Sequence, residues 1–140
     1  MRDDNCSFCK IAGGDIPSTT VYEDEQFRVF LDLSPAAKGH ALVVPKEHFA
    51  NLFEIDDEVL RDLIVVAKKV AIAIRDALGC EGMNIVQNNG PLAGQTVFHF
   101  HLPIIPRYAA DGQNINWVPG TSDPETQVKI AEAIKGALKA

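Results

Sequence analysis

The chain has 140 residues, 46% of them hydrophobic, and a formal net charge of −6. That length fits one domain with its own core. The acidic balance, with no cluster of Lys or Arg, argues against a face for long nucleic acid or an anionic membrane, but not against a local site for a small anion.

The first ten residues, MRDDNCSFCK, are charged where a secretion signal needs an apolar run. No stretch is long enough to cross a bilayer, so a cytoplasmic chain is expected. TVYEDE (20–25) and FRVFLDL (27–33) read as strands, rich in β-branched and aromatic residues. HALVVP (40–45) reads as a third strand, stopped by Pro45. Asp56 or Asp57 can cap a helix. Leu60, Leu63, Ile64, Ala67, Val70, Ala71, Ile74 and Leu78 then recur at helical spacing, and Gly79 ends the run.

MNIVQNN (83–89) reads as a fourth strand, GPLAGQ (90–95) as a loop and TVFHFHLPIIPR (96–107) as a fifth strand. In an extended strand alternate residues share a face. His99, His101 and Pro103 then point one way, and Phe98, Phe100, Leu102 and Ile104 the other. TSDPE (121–125) starts a last helix, with Asp123 as cap and Pro124 in the first turn. Ala131, Ile134 and Leu138 are its expected buried stripe. Hairpin connections and one long helix predict an α+β fold, an antiparallel sheet of about five strands with helices beside it. Nothing splits residues 1–140 into more than one domain.

The chemistry-bearing residues each have more than one meaning. Cys6, Cys9 and Cys80 are an odd set with no disulfide framework. C-x-x-C at 6–9 fits half of a zinc site, a redox pair, or two half-buried small residues. No strand precedes it, as a thioredoxin-like motif requires. Cys80 reads as a small buried residue. His40 alone reads as a strand-end histidine, and His48 as a solvated loop residue. The loop QNNGPLAGQT (87–96) offers turns at Gly90 and Gly94 that can aim N–H groups at an anion, with donors on Asn88, Gln95 and Thr96. It lacks the G-K-[ST] ending of a P-loop. An isolated H-x-H favours metal. A neutral imidazole is also a nucleophile near pH 7.

Taken together, three segments resemble the histidine triad family of nucleotide hydrolases and transferases, and within it the Hint-like, zinc-containing branch of bacteria. They are CSFCKIAGGDIPSTTVYEDE, FLDLSPAAKGHALVVPKEH and NNGPLAGQTVFHFHLPIIPR. The family signature H-φ-H-φ-H-φ-φ is met by His99, Phe100, His101 and Leu102, but Pro103 stands at the third histidine. The resemblance implies that His101 is the nucleophile, attacking an α-phosphate to form a nucleotidyl-histidine that water resolves. His40 would fix its ring, and Gln95 and Thr96 would contact the phosphate or leaving group. Asp32 and Asn88 would lie near the ribose and phosphate, with Gly94 in the same loop. Phe30, Leu33 and Ile16 would line the base slot.

The same resemblance implies a structural zinc on Cys6, Cys9, His48 and His99. That zinc would pin an N-terminal arm of about residues 1–15. It also implies a homodimer with joined sheets, Trp117 and the C-terminal segment lying near the interface. In the family the third histidine assists the leaving group. Proline has no side-chain donor and no backbone N–H, so a strand should bend or break there. Three functions are therefore carried forward, in this order: a purine-nucleotide phosphoramidase or mixed-anhydride hydrolase; a zinc-stabilised nucleotide-binding module without turnover; a redox or metal-handling protein built on Cys6 and Cys9.

Overall fold

A computed structural model describes residues 3–138. In chain order these form α1 (Ser7–Ala12), β1 (Thr20–Glu23), β2 (Phe27–Leu31), β3 (Ala41–Pro45), α2 (Asp57–Leu78), β4 (Gly82–Ile85), a 3₁₀ turn (Pro91–Ala93), β5 (Leu102–Arg107) and α3 (Pro124–Ala137). The strands make one sheet in the order β1-β2-β3-β5-β4, antiparallel at every pairing. The fold is α+β, as expected. No helix among the described residues is long and apolar enough to cross a membrane.

The period-two pattern of the strands gives the sheet two different faces. On one lies α2, whose Leu63, Val66, Ala67, Val70 and Ile74 pack against Phe27, Val29, Val43, Phe100, Leu102 and Ile104. On the other, Phe30, Leu42 and Val44 meet Ala12, Phe8 and Ile11 of α1. Because α1 is only six residues long, it covers part of that face and leaves an open cleft beside it.

Two strands are shorter than their residues suggest. β4 stops at Ile85 and β5 begins at Leu102, so His99 and His101 precede the ladder. Pro103 explains the end of β4. Its carbonyl accepts from Val86 N–H at 3.1 Å, and in an antiparallel pair the return bond would come from the N–H that proline lacks. The ladder ends there although β5 lies inside the sheet. Pro106, three residues on, faces β3 instead, where its register partner would be Gly39, two residues before that strand begins at Ala41.

The last helix departs from expectation more sharply. Asp123 caps it through Thr126 N–H, and Pro124 opens it. Yet Ala131, Ile134 and Leu138 are exposed, and α3 has no buried residue. Its apolar stripe is real, but no element of the same chain packs over it among the described residues. Cys80 is likewise half-buried rather than buried.

Gly39 is the tightest turn near the site. Its φ is +91°, and an added Cβ would sit 2.5 Å from Leu78 Cδ1 and 3.3 Å from Pro106 Cγ. Gly39→Ala is expected to cost about 1–3 kcal/mol of stability. It should lower the urea midpoint with an unchanged m-value. A midpoint equal to that of the natural chain would contradict this reading.

Candidate functional site

The cleft on the α1 side of the sheet has a volume of about 440 Å³. Phe30, Asp32, Leu33, His40, Asn88, Thr96 and His101, all singled out from sequence, line it together with Pro103. They come from β2, the β2–β3 turn, the loop after β4 and the entry to β5. Three sequence candidates stand elsewhere. Ile16, 38% exposed just beyond α1, is not part of the wall. Gly94 closes the 3₁₀ turn at φ +96°, with Asn88 Nδ2 3.4 Å from where a Cβ would sit.

Gln95 is 3% exposed and turned inward. Its Oε1 accepts from Gly90 N–H at 2.8 Å, and its Nε2 donates to the carbonyls of Ala50 and Val97 at 2.7 and 3.0 Å. All its bonding capacity toward the backbone holds the loop in shape. It ties that loop to the segment that follows His48.

Hydrogen bonds to carbonyls set the histidine tautomers, because a carbonyl oxygen only accepts. His101 Nδ1 lies 2.8 Å from the His99 carbonyl. Nδ1 therefore carries a proton, which in the neutral tautomer places the lone pair on Nε2. His40 is oriented the opposite way. Its Nδ1 accepts from Ala36 N–H at 3.0 Å, so the proton sits on Nε2, 3.6 Å from Asp32 Oδ2. That Nε2 is buried without a hydrogen-bond partner among the described residues. Burial lowers the His40 pKa, and the Asp32 charge opposes the shift only in part.

This shift has a pH consequence. His40 binds a proton less readily folded than unfolded, where its pKa is about 6.5. Above that value both states are neutral. Below it the unfolded chain gains a proton that the folded chain resists, so stability falls as pH drops. His40→Gln is expected to lose less stability between pH 7.5 and 5.0 than the natural chain. Urea midpoints at the two pH values measure it, and parallel losses would refute the assignment.

A second cluster lies beside the cleft. One donor atom each from Cys6, Cys9, His48 and His99 falls within 4.8 Å of the others. His99 Nδ1 lies 3.2 Å from Cys6 Sγ, 3.3 Å from Cys9 Sγ and 3.2 Å from His48 Nδ1. His48 Nδ1 lies 3.3 Å from Cys9 Sγ. Donor pairs around a tetrahedral zinc are about 3.3–3.8 Å apart, so a slight opening of the cluster accommodates such an ion.

The chemistry of the donors fits too. His99 Nε2 donates to the Pro45 carbonyl at 2.8 Å, which leaves Nδ1 as a free lone pair facing the sulfurs. Burial pushes the His99 pKa down to about 4, keeping the ring neutral. Burial likewise pushes the Cys9 thiol up to about 11, a penalty on the thiolate that a bound cation would offset. Backbone N–H groups of Cys9 and Asp3 point at Cys6 Sγ and Cys9 Sγ.

The two clusters share a wall that the sequence did not single out. Phe8, between the cysteines, stacks edge-on to His101 with ring centroids 5.0 Å apart, and to Phe30 at 5.7 Å. Phe8 and Ile11 line the cleft, with Leu42 across from them. The available signal was helical spacing: Phe8, Ile11 and Ala12 share one face of a helix through 7–12.

Comparison with known proteins agrees with this geometry. The family model of the HIT domain matches residues 13–110. A HIT family protein of Bacillus subtilis superposes with a TM-score of 0.92 at 45% identity, covering 98% of this chain and 99% of that one. A zinc-bound histidine triad family protein of Mycobacterium smegmatis gives 0.74 at 36% identity, covering 94% and 96%. An adenosine 5′-monophosphoramidase of Schizosaccharomyces pombe is 41% identical over 136 residues, 96% of this chain and 99% of that protein. The chain belongs to the HIT, or histidine triad, family.

Proposed function

We propose that the chain is a nucleotide hydrolase that cleaves the bond between a nucleoside 5′-phosphate and its substituent by way of a nucleotidyl-histidine on His101. The observation that carries this reading is the His101 tautomer. Its Nδ1–H, held by the His99 carbonyl, leaves Nε2 to act as the nucleophile on the cleft. The kinship with a phosphoramidase of fission yeast supports the same class of reaction.

The wall of Phe8, Ile11, Phe30, Leu33 and Leu42 takes a purine base, and Asp32 takes the ribose hydroxyls. Asn88, Thr96 and the Gly94 turn hold the phosphate. Gln95 positions that loop, and His40 keeps the floor of the cleft neutral. Nε2 of His101 attacks the α-phosphorus, the substituent leaves, and water then cleaves the P–N bond to release the nucleoside monophosphate. The metal on Cys6, Cys9, His48 and His99 is zinc. All four positions are taken by protein, so it serves structure rather than chemistry. The chain works in the cytoplasm, where thiols stay reduced.

The protein acts as a homodimer. The unpartnered stripe of α3 and the exposed Trp117 support a second copy, since a helix of 14 residues is marginal in water without packing. A second reading is a nucleotide-binding module without turnover, favoured by Pro103 in the cleft. Mass spectrometry of the protein quenched during a single turnover tests the first reading. An adduct of one nucleoside monophosphate on His101 is expected. Tight binding of the nucleotide with no adduct on any substrate would favour the module.

A further inference from the structure

On the hydrolase reading above, the proton inventory of the cleft limits what it can cleave. We infer that the cleft is selective for nucleotide derivatives whose leaving group departs without a proton, namely acyl–phosphate mixed anhydrides, and that Pro103 sets this selectivity. Three titratable side chains line the cleft: Asp32, His40 and His101. His101 is consumed as the nucleophile. Asp32 accepts on Oδ1 from Ser34 N–H at 2.8 Å, so that oxygen serves as an acceptor and not as a proton donor.

His40 already uses Nδ1 to accept from Ala36 N–H. It cannot take a second proton without breaking that bond, and a neutral imidazole N–H is no acid at neutral pH. Thr96 and Asn88 offer hydrogen bonds but no acidic proton. Among the described residues the cleft therefore holds no general acid.

Pro103 occupies the place where one would act. It stands two residues beyond His101 in the chain and lines the same cleft. With the base against Phe8 and Phe30, the leaving group would lie against the wall of Val86, Val97, Pro103 and Ile105, across β3 from Phe30. That wall is carbon. The Pro103 nitrogen bears no hydrogen, and its carbonyl already accepts from Val86 N–H.

The balance of each step follows. His101 Nε2 gives its lone pair to phosphorus, and the P–O bond to the acyl oxygen breaks with its electron pair onto the departing carboxylate. No proton is needed, because the conjugate acid has a pKa of about 4. Water then adds to phosphorus, the P–N pair returns to Nε2, and one proton is released to solvent. An alkylamine, with a conjugate acid near about 10.4, must instead gain a proton as the P–N bond breaks, and nothing in the cleft supplies it.

The test measures kcat/KM for acetyl-adenylate, the phenyl ester of AMP and an alkyl phosphoramidate of AMP. The proteins are the natural full-length chain, Pro103→His and Pro103→Ala. Quenched samples are weighed for the His101 adduct. Pro103→His is expected to raise the phosphoramidate rate about 10²–10⁴-fold, the usual worth of a positioned acid, and to change the acetyl-adenylate rate less than about tenfold. Pro103→Ala should move both substrates by the same factor.

The inference is overturned if the natural chain cleaves the phosphoramidate within about tenfold of acetyl-adenylate, or if Pro103→His accelerates both equally. The first of these needs no variant to fold. An adduct on His101 with no such preference would remove this inference and leave the hydrolase reading standing. No adduct from any of the three compounds would remove the hydrolase reading itself.

Discussion

Replacing His101 by asparagine should reduce turnover about 10⁴- to 10⁶-fold, the scale seen when a covalent nucleophile is removed. Asparagine has no lone-pair nitrogen, so no nucleotidyl adduct should be found. The fold should hardly notice. His101 is only half-buried, and its ring hydrogen bond runs to the carbonyl of His99 two residues earlier. The loss is part of the edge contact with Phe8, worth about 0.5–1.5 kcal/mol for an aromatic pair. Nucleotide affinity should survive, because the base wall lies on β2, β3 and α1. Steady-state kinetics, calorimetric titration with the nucleoside monophosphate and a thermal melt separate these terms. A variant that still turns over at a tenth of the natural rate would refute the assignment of the nucleophile.

What could be read from sequence was what short-range physics decides. The 22-residue α2 carried its period in its apolar residues and its end in Gly79, which adopts a left-handed cap at φ +67°. Asp123 and Pro124 marked the start of α3 as surely, because a cap needs only its own first turn. The candidate site was legible by another route. Cys6 and His99 are 93 residues apart in sequence, and no spacing rule joins them. The likeness of three segments to a known family did.

The parts that stayed hidden depend on distant partners. β4 loses its last residues because Pro103, on a neighbouring strand, has no N–H to offer Val86. Gln95 looked like a phosphate donor, but the carbonyls of Ala50 and Val97 claim its amide. Phe8 between two cysteines carries no message until α1 is seated on the sheet. The stripe of α3 is apolar as expected, yet whether it is buried is not a property of one chain.

Stripping the metal proposed on Cys6, Cys9, His48 and His99, by chelation or by Cys9→Ser, should lower stability by about 4–5 kcal/mol, the scale that marks the loss of a metal or a disulfide. The loss should be smaller than in a zinc finger, where binding contributes about 10–16 kcal/mol and the apo chain is unfolded. Here α2 and the sheet have a core of their own, and none of the four donors is a member of it. What loosens is the second face. α1 rests there through Phe8, Ile11 and Ala12, and two of the four donors lie in or beside it. Catalysis should suffer as well, although no step passes through the ion. The carbonyl that sets the His101 tautomer belongs to His99, and the ring that braces His101 belongs to Phe8. A fall of about 10–100-fold in kcat is expected, as when groups that orient a site are lost. Metal content, hydrogen exchange over residues 3–16 and single-turnover kinetics on the same sample measure the three effects. Exchange should rise in α1 while α2 stays protected. If the chelated protein kept its melting temperature and its rate, the cluster would be neither a structural centre nor a brace for the nucleophile.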